Sequence, residues 1–234
     1  MIPKIVHYCW ISDNAWDMKT TECFNSWKKH IPKYEFMLWN KNTLPEYVIQ
    51  TPAVQYALKH KRWAFVADFV RFWALYTYGG IYMDLDVELL KPLDSLISNQ
   101  LFFGLEKQRL GAHVIGAQRG NEFIGIILKK VEFKQNFMPL PEFITTIYLN
   151  YYQELPKETI SQSISIYPNS TFNPYFWNEI ESVSSLNVTD QTICIHWYAG
   201  GWQPNYKKKG FYKFILQFLE RIKVLKYLRI IRGY

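Results

Sequence analysis

Short apolar runs alternate with amphipathic stretches along the 234 residues of the chain. Apolar runs bounded by Gly, Pro or Asn are typical of buried strands, and apolar positions spaced by three and four residues are typical of helices. Strands are predicted over residues 5–10, 34–39, 81–87, 101–105, 113–117, 163–167 and 192–197, and helices over 18–30, 45–60, 62–78, 121–133 and 141–152. Because strands alternate with helices from the start, we expect an α/β fold with a mixed, mainly parallel sheet.

The last segment differs from the rest in charge. Residues 207–234 carry nine Lys or Arg against one acidic residue, a net charge of +8, whereas residues 1–206 carry 18 basic and 19 acidic residues, a net charge of −1. The apolar residues of this segment recur at helical spacing: Phe211, Phe214, Ile215, Phe218, Ile222 and Leu225. A basic amphipathic helix is expected to lie on an anionic membrane, or to pack its apolar face on the domain.

We therefore expect one domain over residues 1–206 and an appended basic amphipathic helix over residues 207–234. No nucleic-acid partner is expected, because the body of the chain has neither a basic stripe nor a recognisable binding motif. No apolar run reaches the roughly 18 residues that cross a bilayer, and the first residues do not resemble a signal peptide. A cytoplasmic protein, peripheral on the inner face of the membrane, is the resulting expectation.

The commonest enzyme motifs are missing from the chain. Its three cysteines form no CxxC pair, which excludes a disulfide scaffold and a Cys-rich zinc module. The sequence also lacks GxSxG, P-loop, GxGxxG and HExxH motifs. These absences argue against the common hydrolase, NTPase, dinucleotide-binding and zinc-protease classes.

The sharpest chemical feature is an aspartate pair, Asp84 and Asp86, that follows two glycines inside an apolar run. On a continuous strand, the alternation would place Tyr82, Asp84 and Asp86 on one face, and at a strand end both carboxylates can converge on one point. Burying two acids without a counter-ion is costly. Two carboxylates suit Mg²⁺ or Mn²⁺, so a metal site is predicted, with two solvated acids on an edge strand as the alternative.

Two further places carry polar residues in apolar surroundings. Asp68 and Arg71 are three apart on the predicted helix 62–78, where they form either a local ion pair or a polar pair presented to substrate hydroxyls. His196 ends a predicted strand and is followed by Gly-Gly and Trp202. This His is either a metal ligand or a structural histidine, and Trp202 is a candidate stacking lid.

Four segments in the same order resemble glycosyltransferase family 32, which includes yeast mannosyltransferases, bacterial capsule and O-antigen transferases and, more remotely, the clostridial glucosylating toxins. The segments are IPKIVHYCWI, SWKKHIPKYEFMLWN, AFVADFVRFWALYTYGGIYMDLDVELLKPLD and IHWYAGGW. The resemblance implies a GT-A fold and a retaining, metal-dependent transfer of a hexose from a nucleotide-diphosphate sugar, with UDP-sugars favoured over GDP-sugars.

The resemblance also implies residue roles. Trp10 would stack on the nucleobase, and Asp68 and Arg71 would grip the donor sugar. Asp84 would contact the ribose, the sugar or the ion, with Tyr82 beside it, and Asp86 would bind Mn²⁺ or Mg²⁺ directly. His196 would lie near the metal, and Trp202 would close over the donor phosphates. Three departures from the family pattern, Ala67, Trp197 and Gly201, leave the third metal ligand open.

The expected acceptor is a saccharide, and the basic segment favours a lipid-linked oligosaccharide of capsule or O-antigen synthesis. Two other functions remain open at this point. A carbohydrate-binding module would bind sugar without metal, and a nucleotide-sugar hydrolase would cleave the donor without an acceptor.

Overall fold

A computed structural model describes residues 1–161, 163–174 and 188–198 of the chain. Nine strands lie in these ranges: β1 Ile5–Cys9, β2 Glu35–Trp39, β3 Gly80–Met83, β4 Val87–Leu89, β5 Leu101–Glu106, β6 Arg109–Ala117, β7 Thr159–Ile160, β8 Ser165–Tyr167 and β9 Cys194–His196. Seven α-helices accompany them: α1 Met18–His30, α2 Glu46–Ile49, α3 Pro52–Lys59, α4 Trp63–Tyr78, α5 Glu122–Val131, α6 Leu140–Tyr152 and α7 Asn169–Phe172.

Seven strands form one sheet in the order β2-β1-β3-β6-β5-β8-β7. The neighbours β2/β1, β1/β3 and β5/β8 are parallel, and β3/β6, β6/β5 and β8/β7 are antiparallel. Strands β6 and β7 therefore run against the other five. The predicted α/β class with a mainly parallel sheet is confirmed, and a separate pair, β4 with β9, stands beside the end of β3.

The sheet separates two apolar cores. On one side, Tyr82 of β3 and Ile115 of β6 pack with residues of α3 to α6. On the other side, Ile81 and Met83 of β3 pack with Trp27 of α1. Successive residues of β3 thus point to opposite cores, as a strand buried on both faces requires.

Helix α4 positions the polar residues of the chain's centre. Its sixteen residues are almost all apolar, and a continuous run from Val66 to Leu75 is buried. The helix ends at Tyr78 and is capped by Gly79, whose φ of +68° favours glycine. Gly80 has a φ of +110°, and a Cβ there would lie 2.7 Å from the Ile5 carbonyl oxygen. These two glycines let the chain turn from α4 directly into β3 beside β1.

Two predicted elements are interrupted in the structure. The helix predicted over residues 45–60 is divided into α2 and α3, because Pro52 starts a new helix and cannot continue the previous one. The strand predicted over 81–87 stops at Met83 and resumes at Val87, with a turn between them. Asp84 and Asp86 therefore lie in a turn and do not alternate along one strand face with Tyr82.

The described helices include none that is long and apolar enough to cross a membrane. The predicted helix over residues 207–234 lies outside the described residues, and so does the domain boundary at residue 206. Both stay predictions.

Candidate active site

The turn that carries the two aspartates is tied to the sheet on one side and to β9 on the other. The Asp84 amide donates to the His113 carbonyl at 2.9 Å, and the Val87 amide donates to the Asp84 carbonyl at 3.0 Å, which closes the turn. Strand β4 then pairs Val87 with His196 of β9. Residues that are 109 positions apart in the chain meet here because of this short antiparallel pair.

Asp84, Asp86 and His196 form a cluster whose potential ligand atoms all lie within 4.8 Å of one another. The Nε2 atom of His196 lies 3.3 Å from Oδ1 of Asp86. Burial opposes ionisation of His196, but the carboxylates of Asp86 and Asp84 outweigh it and raise the pKa of the imidazole. Two carboxylate oxygens and one imidazole nitrogen are a donor set that fits Mn²⁺, and also Mg²⁺ with waters completing its shell.

His113 of β6 backs this cluster, although the sequence did not indicate it as a site residue. Its ring stacks on that of His196, with 4.4 Å between centroids and 10° between planes. Its burial, and next the nearby His196, lower the pKa of His113 well below the usual value. His113 is therefore a neutral ring that limits the orientations of His196. The sequence shows only a lone His in an apolar strand, a pattern that is also typical of a structural core histidine.

Arg71 of α4 lies at the centre of the site and joins both acidic groups. One guanidinium nitrogen lies 3.5 Å from Oδ1 of Asp68 and 3.4 Å from Oδ1 of Asp84. The guanidinium also donates to the carbonyls of Ala67 and Ala112. It stacks over the Tyr82 ring, with Cζ 4.5 Å from the ring centroid. The interactions of Arg71 therefore connect α4, β3, the aspartate turn and β6.

Burial and ion pairing with Arg71 shift the pKa values of the neighbouring acids in opposite directions. Burial raises the pKa of Asp68, and Arg71 and Lys134 oppose that effect. Burial likewise raises the pKa of Asp84 against the influence of Arg71. The Tyr82 hydroxyl donates to Oδ1 of Asp84 at 3.1 Å and supports its ionised form.

Lys134 is a second site residue that the sequence did not indicate. It follows α5, and its Nζ lies 3.6 Å from Oδ2 of Asp68. Lys134 follows Lys129 and Lys130 in the sequence and carries no local signal of burial. Its contact with Asp68 depends on a loop that folds back onto α4.

The stacking residues predicted from the sequence are placed only in part. Trp10 directly follows β1, is half-buried, and donates from its indole nitrogen to the Asn14 carbonyl at 2.9 Å. It packs edge-on against Trp16, with 6.4 Å between ring centroids. Trp10 also packs against the apolar core that includes Leu85, the residue between the two aspartates. Trp202 lies outside the described residues, and its proposed role stays a prediction.

The structure thus brings six of the predicted site residues together: Asp68, Arg71, Tyr82, Asp84, Asp86 and His196. They converge where β3 ends and where the parallel neighbour β1 also ends. Ligands of α/β sheets bind beyond this carboxyl edge. The site combines a metal-compatible set of ligands with a buried Asp–Arg pair beside it.

Residues 17–103 match the protein family described as glycosyltransferase sugar-binding region containing DXD motif. Inositol phosphoceramide mannosyltransferase 3 of Schizosaccharomyces pombe is 31% identical over 137 residues, which are 53% of this chain and 35% of that protein. Inositol phosphoceramide mannosyltransferase 2 of the same yeast is 33% identical over 111 residues, 42% of this chain and 28% of that protein. The chain thus spans about a third of the length of the curated relatives it matches.

Among solved structures, PaToxG Glycosyltransferase superposes with a TM-score of 0.52 at 17% identity, over 65% of this chain and 70% of that one. This likeness concerns the fold, and the predicted GT-A type is confirmed. The resemblance to DXD-type glycosyltransferases is confirmed as well.

Proposed function

We propose that the protein is a metal-dependent, retaining glycosyltransferase that moves a hexose from a nucleotide-diphosphate sugar to a saccharide acceptor. The observation that carries this proposal is the meeting of Asp84, Asp86 and His196 within 4.8 Å, beside the buried pair of Asp68 and Arg71. A carbohydrate-binding module that binds sugar without metal has no need for such a set of ligands. The matched DXD region supports the same reaction class.

The residues have distinct roles in this proposal. Asp84, Asp86 and His196 hold Mn²⁺ or Mg²⁺, which when bound neutralises charge on the leaving nucleoside diphosphate. Asp68 accepts hydrogen bonds from hydroxyls of the donor sugar, and Arg71 orients Asp68 and Asp84 together. Tyr82 holds Asp84 through its hydroxyl.

The two tryptophans act on the nucleotide half of the donor. Trp10 stacks on the nucleobase and Trp202 closes over the phosphates. In the transfer, the acceptor hydroxyl attacks the anomeric carbon on the face from which the diphosphate leaves. A leaving phosphate oxygen takes the hydroxyl proton, and the configuration is retained.

The proposal also covers the donor and the acceptor. The resemblance to glycosyltransferase family 32 favours a UDP-sugar, and the mannosyltransferase relatives support a mannosyl donor as the main alternative. A lipid-linked saccharide is the proposed acceptor, in capsule or O-antigen synthesis at the inner face of the membrane. The basic segment 207–234 would hold the enzyme at an anionic surface, and this rests on its sequence alone.

Thermal unfolding with a panel of nucleotide sugars tests the proposal. UDP-glucose, UDP-galactose, UDP-N-acetylgalactosamine and GDP-mannose are each added with Mn²⁺ and, separately, with a chelator. A donor at about 100 times its dissociation constant adds about 2.7 kcal/mol, which shifts the melting temperature by several degrees. We expect one class of donor to stabilise the protein only with Mn²⁺, and Asp86→Asn to remove the effect.

Stabilisation that persists in the chelator would contradict metal dependence and favour a binding module. Rapid donor cleavage that is unaffected by any saccharide acceptor would indicate a hydrolase. No stabilisation by any donor would contradict the proposed donor class.

A further inference from the structure

Lys134 is a buried cation next to the donor site that the proposed mechanism does not yet use. Its side chain is only 3% exposed, and its Nζ lies 3.6 Å from Oδ2 of Asp68. The ammonium also donates to the Asn136 carbonyl at 3.1 Å. A buried Lys is uncommon and usually has a specific partner, and here that partner is Asp68.

Lys134 lies in the loop between α5 and α6, and aromatic rings of the neighbouring helices fix its position. Its ammonium lies 4.6 Å from the Phe65 ring centroid and 5.8 Å from that of Phe143. Three residues further along, Phe137 packs edge-on against Phe65, with 4.9 Å between centroids. At the start of the loop, the Ala53 amide donates to the Glu132 carbonyl at 3.0 Å. The loop is thereby held against α3 and α4, and Lys134 with it.

The count of charges explains why a second cation is needed. One guanidinium nitrogen of Arg71 lies 3.5 Å from Asp68 and 3.4 Å from Asp84, so a single cation faces one buried and one partly exposed carboxylate. Lys134 contacts the other oxygen of Asp68, Oδ2, and leaves Arg71 to be shared. The two cations approach different oxygens of the same carboxylate. They therefore restrain its rotation and stabilise its negative charge.

We propose that Lys134 is a positioning residue for the donor sugar, which holds the Asp68 carboxylate in the orientation that accepts hydrogen bonds from sugar hydroxyls. This inference rests on the proposed function, because it assigns Asp68 to the sugar half of the donor. Lys134 then contributes to the affinity for the whole nucleotide sugar and not to the affinity for the nucleoside diphosphate alone.

Calorimetric titration with Mn²⁺ tests this separation in wild type, Lys134→Met, Lys134→Arg and the control Lys130→Met, which removes an exposed Lys four residues away. The probes are the nucleotide sugar that stabilises wild type in the panel above, and its nucleoside diphosphate. For Lys134→Met we expect about tenfold weaker binding of the nucleotide sugar, as the loss of one charge-assisted interaction implies, and unchanged binding of the diphosphate. Lys134→Arg should recover most of the loss.

Equal weakening of both ligands, or no weakening of either, would overturn the inference. A double-mutant cycle with Asp68→Asn, read by urea unfolding without ligand, tests the pairing separately. We expect Lys134→Met to destabilise wild type more than it destabilises the Asp68→Asn variant, and additive effects would also overturn the inference. If wild type itself binds no nucleotide sugar, the proposed function fails and the donor role of Lys134 with it, whereas the cycle still reports on the pair.

Discussion

Arg71→Met is the substitution that most directly probes the electrostatics of the site. Methionine keeps much of the apolar stem of Arg71 but removes the cation shared by Asp68 and Asp84. The Arg71 side chain is 6% exposed, Asp68 is 10% exposed and Asp84 is 27% exposed, so water cannot replace the lost partner fully. The carbonyls of Ala67 and Ala112 lose a donor as well.

Removing one partner of a buried ion pair costs about 3–5 kcal/mol. For a chain of this size, 1 kcal/mol corresponds to about 2–4 °C in melting temperature. We therefore expect Arg71→Met to melt about 6 °C or more below wild type at pH 7. The pKa values of Asp68 and Asp84 are already raised by burial, and they rise further without Arg71. Because protonation then relieves the unpaired charge, the deficit should shrink as the pH falls from 7 to 5.

The assay is thermal unfolding followed by circular dichroism, in the absence of metal. Arg109→Met is the matched control, because Arg109 pairs with Glu142 at 2.8 Å on the surface and such pairs contribute at most about 1 kcal/mol. An Arg71→Met variant that melts no lower than Arg109→Met would refute the reasoning. A deficit that grew as the pH fell would refute its electrostatic part.

Three further predictions concern the frame around the site. Gly80→Ala should lower the free energy of unfolding by about 3 kcal/mol, because the added Cβ would lie 2.7 Å from the Ile5 carbonyl oxygen at a φ of +110°. The control Gly120→Ala, at a φ of +70° in open space, should cost only about 1 kcal/mol, and urea unfolding measures both. Burial lowers the pKa of His7 to about 4, so the unfolded chain takes up a proton at this residue before the folded chain does. The free energy of unfolding should therefore fall by about 3 kcal/mol as the pH falls from 6.5 to 4, and an NMR titration of His7 with a midpoint above 6 would contradict this. Trp27→Phe removes the 2.7 Å hydrogen bond to the Val87 carbonyl and should cost about 1–3 kcal/mol in unfolding free energy, and Mn²⁺ affinity should fall too if β4 positions Asp86.

The elements with strong local signals could be predicted from the sequence almost to the residue. Helix α1 runs over Met18–His30 as predicted, since Asp17 caps it by accepting from the Thr20 amide at 2.8 Å and Pro32 follows its end. The interruption of the strand at Asp84 could not be predicted from alternation, because an apolar–acidic pattern looks the same in a strand and in a turn. The Asp84 carbonyl closes that turn by accepting from the Val87 amide.

The site residues divide in the same way. The aspartate pair and the Asp68–Arg71 spacing are local patterns, and both could be read from the sequence. His113 and Lys134 reach the site only through tertiary structure, by the pairing of β6 with β3 and by the loop after α5. Neither residue has a local pattern that distinguishes it from a core histidine or a solvated lysine.

The central claim is that Asp84, Asp86 and His196 bind one divalent ion that the donor needs. The most direct test is Mn²⁺ titration followed by electron paramagnetic resonance, in wild type, Asp86→Asn, His196→Ala and the control Asp94→Asn, whose carboxylate pairs with Lys4 on the surface. We expect one Mn²⁺ per chain in wild type and Asp94→Asn, and an affinity at least about tenfold lower in the other two variants. Equal Mn²⁺ affinity in wild type and Asp86→Asn would contradict the account.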